Sequence, residues 1–304
     1  MPHGNKLRSS SASRSTTNTS NANGIDECWD VTINAQKSLF HFDFKELFQY
    51  KDLIKLLIRR DFVSVYKQTI FGPLWFVFQP LMSTLIYMFV FGNIAQLGTD
   101  GIPQPLFYFS GTMLWTFFAT NLQKSSDTFV NNAGLFGKVY FPRFALPISY
   151  MVNALFTLGI QFACMMVFYV YYLATGYHFV PTAWILATPL YIIQLAMLGM
   201  GFGLLTSALT TKYHDLRNLV NFGLSILMYA TPVVYPISNV PEKWKLLFQI
   251  NPITPVIEMF RFSFLGNGNH DIHIWLYSLV ASFIVFWIGL ATFTYNEKTF
   301  IDVI

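Results

Sequence analysis

The side chains able to do chemistry are few and widely spaced along this chain. Gly134 to Lys138 is the nearest approach to a phosphate-cradling loop, but its spacing departs from GxxxxGK(S/T), so the chain is not expected to bind and hydrolyse ATP by itself. No GxSxG elbow, HExxH pair or CxxC pair occurs. His270 and His273 stand in a Gly/Asn loop and read as solvated side chains. Cys28 lies in a polar tail and Cys164 in an apolar run, so neither a disulfide, a metal site nor a cofactor site is expected. Asp100, Glu242, Glu258 and Asp271 are scattered rather than convergent. A polytopic membrane enzyme acting on lipid-linked sugars, such as a glycosyltransferase, would need paired carboxylates that this spacing does not supply.

What the apolar runs do hold is aromatic: Trp75, Phe78, Tyr87, Tyr108, Trp115, Phe118 and Tyr229. Aromatic faces pack on the C–H faces of sugars without a fixed hydrogen-bond register, which suits a weakly adhesive conduit for a polymer. The competing reading is an interfacial belt with lipid-facing or packing side chains. Glu258 and Arg261 stand at i and i+3 and can pair on one helix face, either to hold that helix or to gate with it.

The composition says what must position these groups. Of 304 residues, 54% are hydrophobic, 18% aromatic and 11% charged, against roughly 25% charged in a soluble domain. With a mean hydropathy of +0.44, the apolar material exceeds one soluble core, so lipid is the expected solvent. Six apolar runs follow one another at about 70–92, 106–123, 147–174, 181–209, 219–236 and 274–295. With these as spans, sixteen of the 19 Lys and Arg fall on the side of the termini and three on the other, which predicts cytoplasmic N and C termini. The net charge of +4 needs no nucleic acid to explain it.

Residues 1–40 read as a disordered cytoplasmic tail, because Ser, Thr and Asn there cannot bury enough surface to offset ordering. From 44 to 60, Leu47, Tyr50, Ile54 and Leu57 face one way and Lys45, Lys51, Asp52, Lys55 and Arg59 the other. This predicts a helix lying against membrane lipids, or against a soluble partner. Prolines at 73, 80, 147, 189 and 232 predict kinked or broken spans. Gly199, Gly201 and Gly203 include a GxxxG pair for close helix approach, within the chain or at a dimer seam. The stretch from Pro241 to Gly266 is too apolar to be solvated, and predicts two short helices re-entering the outer leaflet, broken at Asn251-Pro252.

Arg60-Asp61, Tyr66 to Thr69, Gly72 to Trp75, Pro80-Leu81 and Phe91-Gly92 stand in one order with Asn132, Leu135, Lys138 to Arg143, Asp215-Leu216 and Asn251 to Pro255. Together they resemble the permease subunits of polysaccharide-exporting ABC transporters, of the O-antigen, capsule and teichoic-acid type, over about 45–300. The resemblance implies an all-α integral membrane protein of the ABC-2 type: six spans, an N-terminal amphipathic interface helix, and short outer gate helices between spans five and six. It implies a homodimer with two copies of a separate ATPase subunit, which would carry ATP and magnesium, in a bacterial cytoplasmic membrane. The coupling contact would fall on Asp127, Asn132, Leu135, Lys138, Phe141, Pro142 and Arg143, with Arg60, Asp61 and Asp215 on the same side. Asn251, Pro252, Glu258 and Arg261 would belong to the outer gate. Phe71, Val65, Lys67 and the long tail depart from the usual pattern and bear on substrate subclass, not architecture.

The function so implied is a channel through which ATP hydrolysis in a partner drives a lipid-linked polysaccharide outward, with nucleotide-driven closure separating the two copies of spans one and five. The rivals are a teichoic-acid, lipid or drug exporter of the same superfamily.

Overall fold

Apolar runs separated by Gly, Pro and charged clusters leave helix as the one way to satisfy the backbone in lipid. The structure, a computed structural model, describes residues 44–67, 72–136, 141–213, 215–266, 268 and 271–301; the expected tail, Lys138 and His270 lie outside them. Among the described residues the regular structure is entirely helical.

The amphipathic segment forms two helices, α1 (Phe44–Gln49) and α2 (Lys51–Lys67), parted at Tyr50. Asp52 in the first turn of α2 and Lys67 in its last complement the helix dipole. Leu47 and Leu57 are buried while Lys51, Lys55 and Arg59 stay exposed, as their spacing predicted. The helix was expected to end at Arg60. It runs seven residues further because Phe62 continues the apolar face, stacking on Phe76 at 6.2 Å and meeting Phe156 at 6.0 Å.

A 3-10 turn at Gly72–Leu74 leads into α3 (Trp75–Tyr87), which continues as a π-helical segment, Met88–Ile94, closed by Ala95 N–H on Val90 O at 2.9 Å. After a loop come α4 (Gln104–Ser126), α5 (Thr128–Phe136, kinked at Asn132) and α6 (Ala145–Ala174). A 3-10 turn at Ala183–Ala187 precedes α7 (Thr188–Lys212), then α8 (Asp215–Tyr229). The short pair α9 (Glu242–Ile250) and α10 (Ile253–Leu265) is broken at Asn251-Pro252, as expected, and α11 (Ile272–Ile301) closes the chain.

α7 lies along α4 on one side and α11 on the other, and α6 covers a further side of α4. A Cβ on Gly199 would come within 2.8 Å of Phe118 O, and one on Gly203 within 2.6 Å of Leu122 O, both on α4. The GxxxG pair therefore seats α7 on α4 within one chain. Gly201, on the opposite face, meets Gly289 of α11 backbone to backbone.

Among the described residues, four helical segments are long and apolar enough to cross a membrane: Trp75–Ile94, Ala145–Ala174, Ala183–Thr210 and Ile272–Asn296. Two expected spans differ. α4 has the length, but Asn121, Gln123, Lys124 and six Ser or Thr make it more polar, and α3, α6, α7 and α10 surround it. α8 was expected to reach 236 and stops at Tyr229. Its 15 residues span ~22 Å, less than the ~30 Å of a hydrocarbon core. Pro232 disfavours helix at Thr231 and offers no N–H, so 230–236 turns back and is stitched by Thr231 Oγ1 to Leu227 O at 2.8 Å.

Candidate functional site

The sequence expected its contact residues at one end of the bundle, and the structure gathers most of them there. Arg60 pairs with Asp61 at 2.7 Å at the C-terminal half of α2. Both line a cavity of about 330 Å³ with Ser64, Lys124, Asn131, Asn132, Tyr150 and Asn153. Asn132 sits at the kink in α5, where its Nδ2 donates to Thr128 O at 2.9 Å and to Tyr150 Oη at 2.8 Å, so the kinked backbone is held from α6. Asn153 also lines the cavity, and neither polar atom of its buried amide has a hydrogen-bond partner among the described residues.

Behind this cavity, Phe141 and Arg143 are buried rather than displayed. The Arg143 guanidinium lies 5.1 Å from the Phe136 ring and 5.9 Å from the Phe129 ring, and Phe129 stacks on Phe293 of α11 at 4.7 Å. Pro142 and Leu135 are half-buried. Arg143 and Phe141 thus shape the seat of α5; a direct contact from them to a partner would need that seat to open. Asp127, at the α4–α5 junction, takes Arg217 of α8 at 2.7 Å, and Asp215 is exposed in the first turn of the same helix.

A second cavity, of about 520 Å³, adjoins the first and shares Phe76, Thr120 and Thr157 with it. Its walls carry Trp75, Gln79, Ser83 and Tyr87 of α3, Thr112, Trp115, Thr116 and Gln123 of α4, Gln161 of α6 and Met228 of α8. Pro80 inside α3 cannot donate to Phe76 O, and Gln161 Nε2 does so instead at 3.1 Å, which fixes the amide at the chamber wall. Aromatic faces and amide or hydroxyl groups alternate around this chamber.

Three of the seven aromatics expected along a path, Trp75, Tyr87 and Trp115, line this chamber. Phe78 and Tyr229 are exposed on the outer surface of the chain. Tyr108 and Phe118 are corrected: both are 0% exposed, packed in the core, and face no open space. The residues that spacing missed are Gln79, Gln123 and Gln161. Their signal was an amide inside an apolar run, where an unpaired one is costly.

At the opposite end Arg261 is 1% exposed. Its Nη1 donates to Pro232 O at 2.7 Å and to Glu258 Oε1 at 3.4 Å; Nη2 donates to Val233 O at 2.6 Å and Phe107 O at 3.2 Å. The guanidinium also sits 3.8 Å from the centre of the Phe107 ring. Gly111 makes room: a Cβ there would lie 2.5 Å from both Arg261 Nη2 and Val233 O. Asn251 Nδ2 reaches Thr231 Oγ1 at 2.8 Å, its Oδ1 caps α10 at Ile253 N, and Pro252 O accepts from Ser278 Oγ of α11. The two short helices are therefore tied to α4, α11 and the 230–236 turn.

The four scattered acids each have a partner within the chain. Glu242 pairs with Lys245, Asp100 accepts from Ser238, and Asp271 caps α11 at His273 N. Glu258 and Asp271, which spacing had separated, share the lining of one cavity of about 10 Å³, roughly the room of one water. Among the described residues no three His, Cys, Asp or Glu side chains gather as a metal site.

The chain is 28% identical over 255 residues to the "O-antigen export system permease protein RfbA" of Klebsiella pneumoniae, covering 83% of this chain and 95% of the relative. It is 24% identical over 261 residues to the protein of the same name from Myxococcus xanthus, covering 85% and 97%. It is 20% identical over 256 residues to the "Polysialic acid transport protein KpsM" of Escherichia coli, covering 82% and 95%. Residues 52–265 match the family model described as "ABC-2 type transporter", a span that runs from α2 to the end of α10. With that match taking in well over half of the sequence and both cavities, the chain belongs to the ABC-2 type transporter family of membrane proteins.

Proposed function

We propose that two copies of this chain form the transmembrane path along which a separate ATPase, in two copies and holding ATP and magnesium, drives a lipid-linked polysaccharide out of the cytoplasm. The basic end is taken as cytoplasmic, from the excess of Lys and Arg on that side. The observation that carries the reading is the junction of the two cavities along α4. Arg60 and Lys124 at the mouth suit the phosphate that would join a glycan to its lipid. Deeper in, Trp75, Tyr87 and Trp115 offer faces to sugar C–H groups, while Gln79, Ser83 and Thr116 offer exchangeable hydrogen bonds to hydroxyls. An apolar drug would use none of these polar groups, so the wall chemistry favours a glycan over a drug. The relatives named for O-antigen export and polysialic acid transport support the same substrate class.

The ATPases would press on α5 and on α1 and α2, and the movement would widen the chamber between the two copies. Deleting the gene and fractionating the cell's glycans tests the reading. The expected result is loss of surface glycan with lipid-linked glycan accumulating on the cytoplasmic side. Loss of the glycan from both locations would show instead that the chain takes part in making it.

A further inference from the structure

Asp127 belongs to two helices at once. Its N–H bonds to Gln123 O at 3.0 Å at the end of α4, and its carbonyl accepts Asn131 N–H at 2.9 Å at the start of α5. Its carboxylate Oδ2 accepts from Arg217 Nη2 at 2.7 Å and Nε at 3.1 Å, and the same Nη2 donates to Asn131 Oδ1 at 3.0 Å. One helical turn back along α4, Gln123 Nε2 donates to Asn221 Oδ1 at 2.9 Å. Residues 123 and 127 are one turn apart on α4, and 217 and 221 one turn apart on α8, so the four side chains form two rungs between antiparallel helices.

α8 has little other grip on the bundle at this end. Leu224 is its one buried side chain, and Leu219 and Phe222 are exposed. The rungs are themselves partly exposed, 43% for Arg217 and 18% for Asp127, so water screens them and they can be remade during a cycle. At its far end α8 carries Met228, a wall of the larger chamber, which accepts from Tyr87 Oη at 3.8 Å. From Arg217 to Met228 is about 16 Å of helix.

We propose that Asp127 and Arg217, with Gln123–Asn221 as a second rung, are positioning residues that make α8 follow α5, so that force on α5 arrives at the chamber wall. This rests on the exporter reading, in which the ATPase bears on α5. Breaking the clasp should leave the assembly whole but separate ATP hydrolysis from export.

The test uses the complex of this chain with its ATPase, reading ATP hydrolysis and glycan transport separately in proteoliposomes. Arg217→Gln should keep hydrolysis within about twofold and lower transport about tenfold, and the charge exchange Asp127→Arg with Arg217→Asp should recover most of it. A second arm replaces Cys28 and Cys164 by Ser and places Gln123→Cys with Asn221→Cys in the Arg217→Gln background. A short reducible bis-thiosulfonate linker across the rung should restore transport, and reductant should abolish it again. Wild-type transport in the Arg217→Gln variant, or no recovery by either exchange or linker, overturns the proposal while leaving the exporter reading intact. A wild-type complex that hydrolyses no ATP and moves no glycan would overturn the exporter reading, and the clasp's role with it.

Discussion

Gln161 of α6 donates to Phe76 O of α3, the carbonyl that Pro80 leaves without its helical partner. A proline kink and a buried amide, 81 positions apart in sequence, are thus one feature. The relationship predicts a specific pattern of stability. Gln161→Leu strands the carbonyl and should cost about 1–2 kcal/mol. In a chain already carrying Pro80→Ala, which restores the helical N–H, the same change should cost clearly less. Thermal unfolding of the four proteins in one detergent completes the double-mutant cycle; equal cost in both backgrounds would refute the pairing.

Arg261 has four acceptor contacts and an aromatic face, all buried. Arg261→Met should destabilise by about 3–5 kcal/mol, because the buried Glu258 carboxylate loses the Arg261 cation and the carbonyls of Phe107, Pro232 and Val233 lose their donor. Adding Glu258→Gln should recover part of that loss. Gly111→Ala should be nearly as damaging as Arg261→Met, since the new Cβ would occupy the guanidinium's place against Val233 O. Yield and melting temperature of the purified variants check all three.

The chamber and core aromatics should part company on substitution. Trp75→Ala opens the chamber wall at a half-exposed ring and should lower glycan transport about tenfold, with protein yield retained. Phe118→Ala empties a fully buried site and should cost about 3–5 kcal/mol of stability. A transport assay normalised to folded protein separates the two outcomes.

Arg143 lies over the Phe136 and Phe129 rings and shapes the seat of α5. Arg143→Ala should lower stability by about 1–2 kcal/mol and reduce glycan moved per ATP. Arg143→Lys, which keeps the cation, should recover part of both. A stability loss with unchanged coupling would confine Arg143 to packing.

Much of this was legible in sequence because the signals were local. The apolar runs, the Asn251-Pro252 break and the i, i+3 spacing of Glu258 and Arg261 each lie within a few residues. The acceptors of Arg261 come from Phe107, Pro232 and Val233, which no local pattern joins to it. α4 mixes polar and apolar residues around its circumference with little periodicity, so spacing could not tell that Trp115 lines the chamber while Tyr108 and Phe118 face the core. The early end of α8 was hidden because residues 230–236 remain apolar after leaving the helix. Residues 231–234 are buried within the chain, where Pro232 and Val233 accept from Arg261.

The most direct measurement is to purify this chain through a tag of its own from cells co-expressing its candidate ATPase, reconstitute the product in lipid nanodiscs, and record ATP hydrolysis with and without a lipid-linked glycan. The expected result is a stable assembly of two copies of each chain whose hydrolysis responds to the glycan. A lone chain that captures no ATPase, and that itself transfers or cleaves sugars, would contradict it.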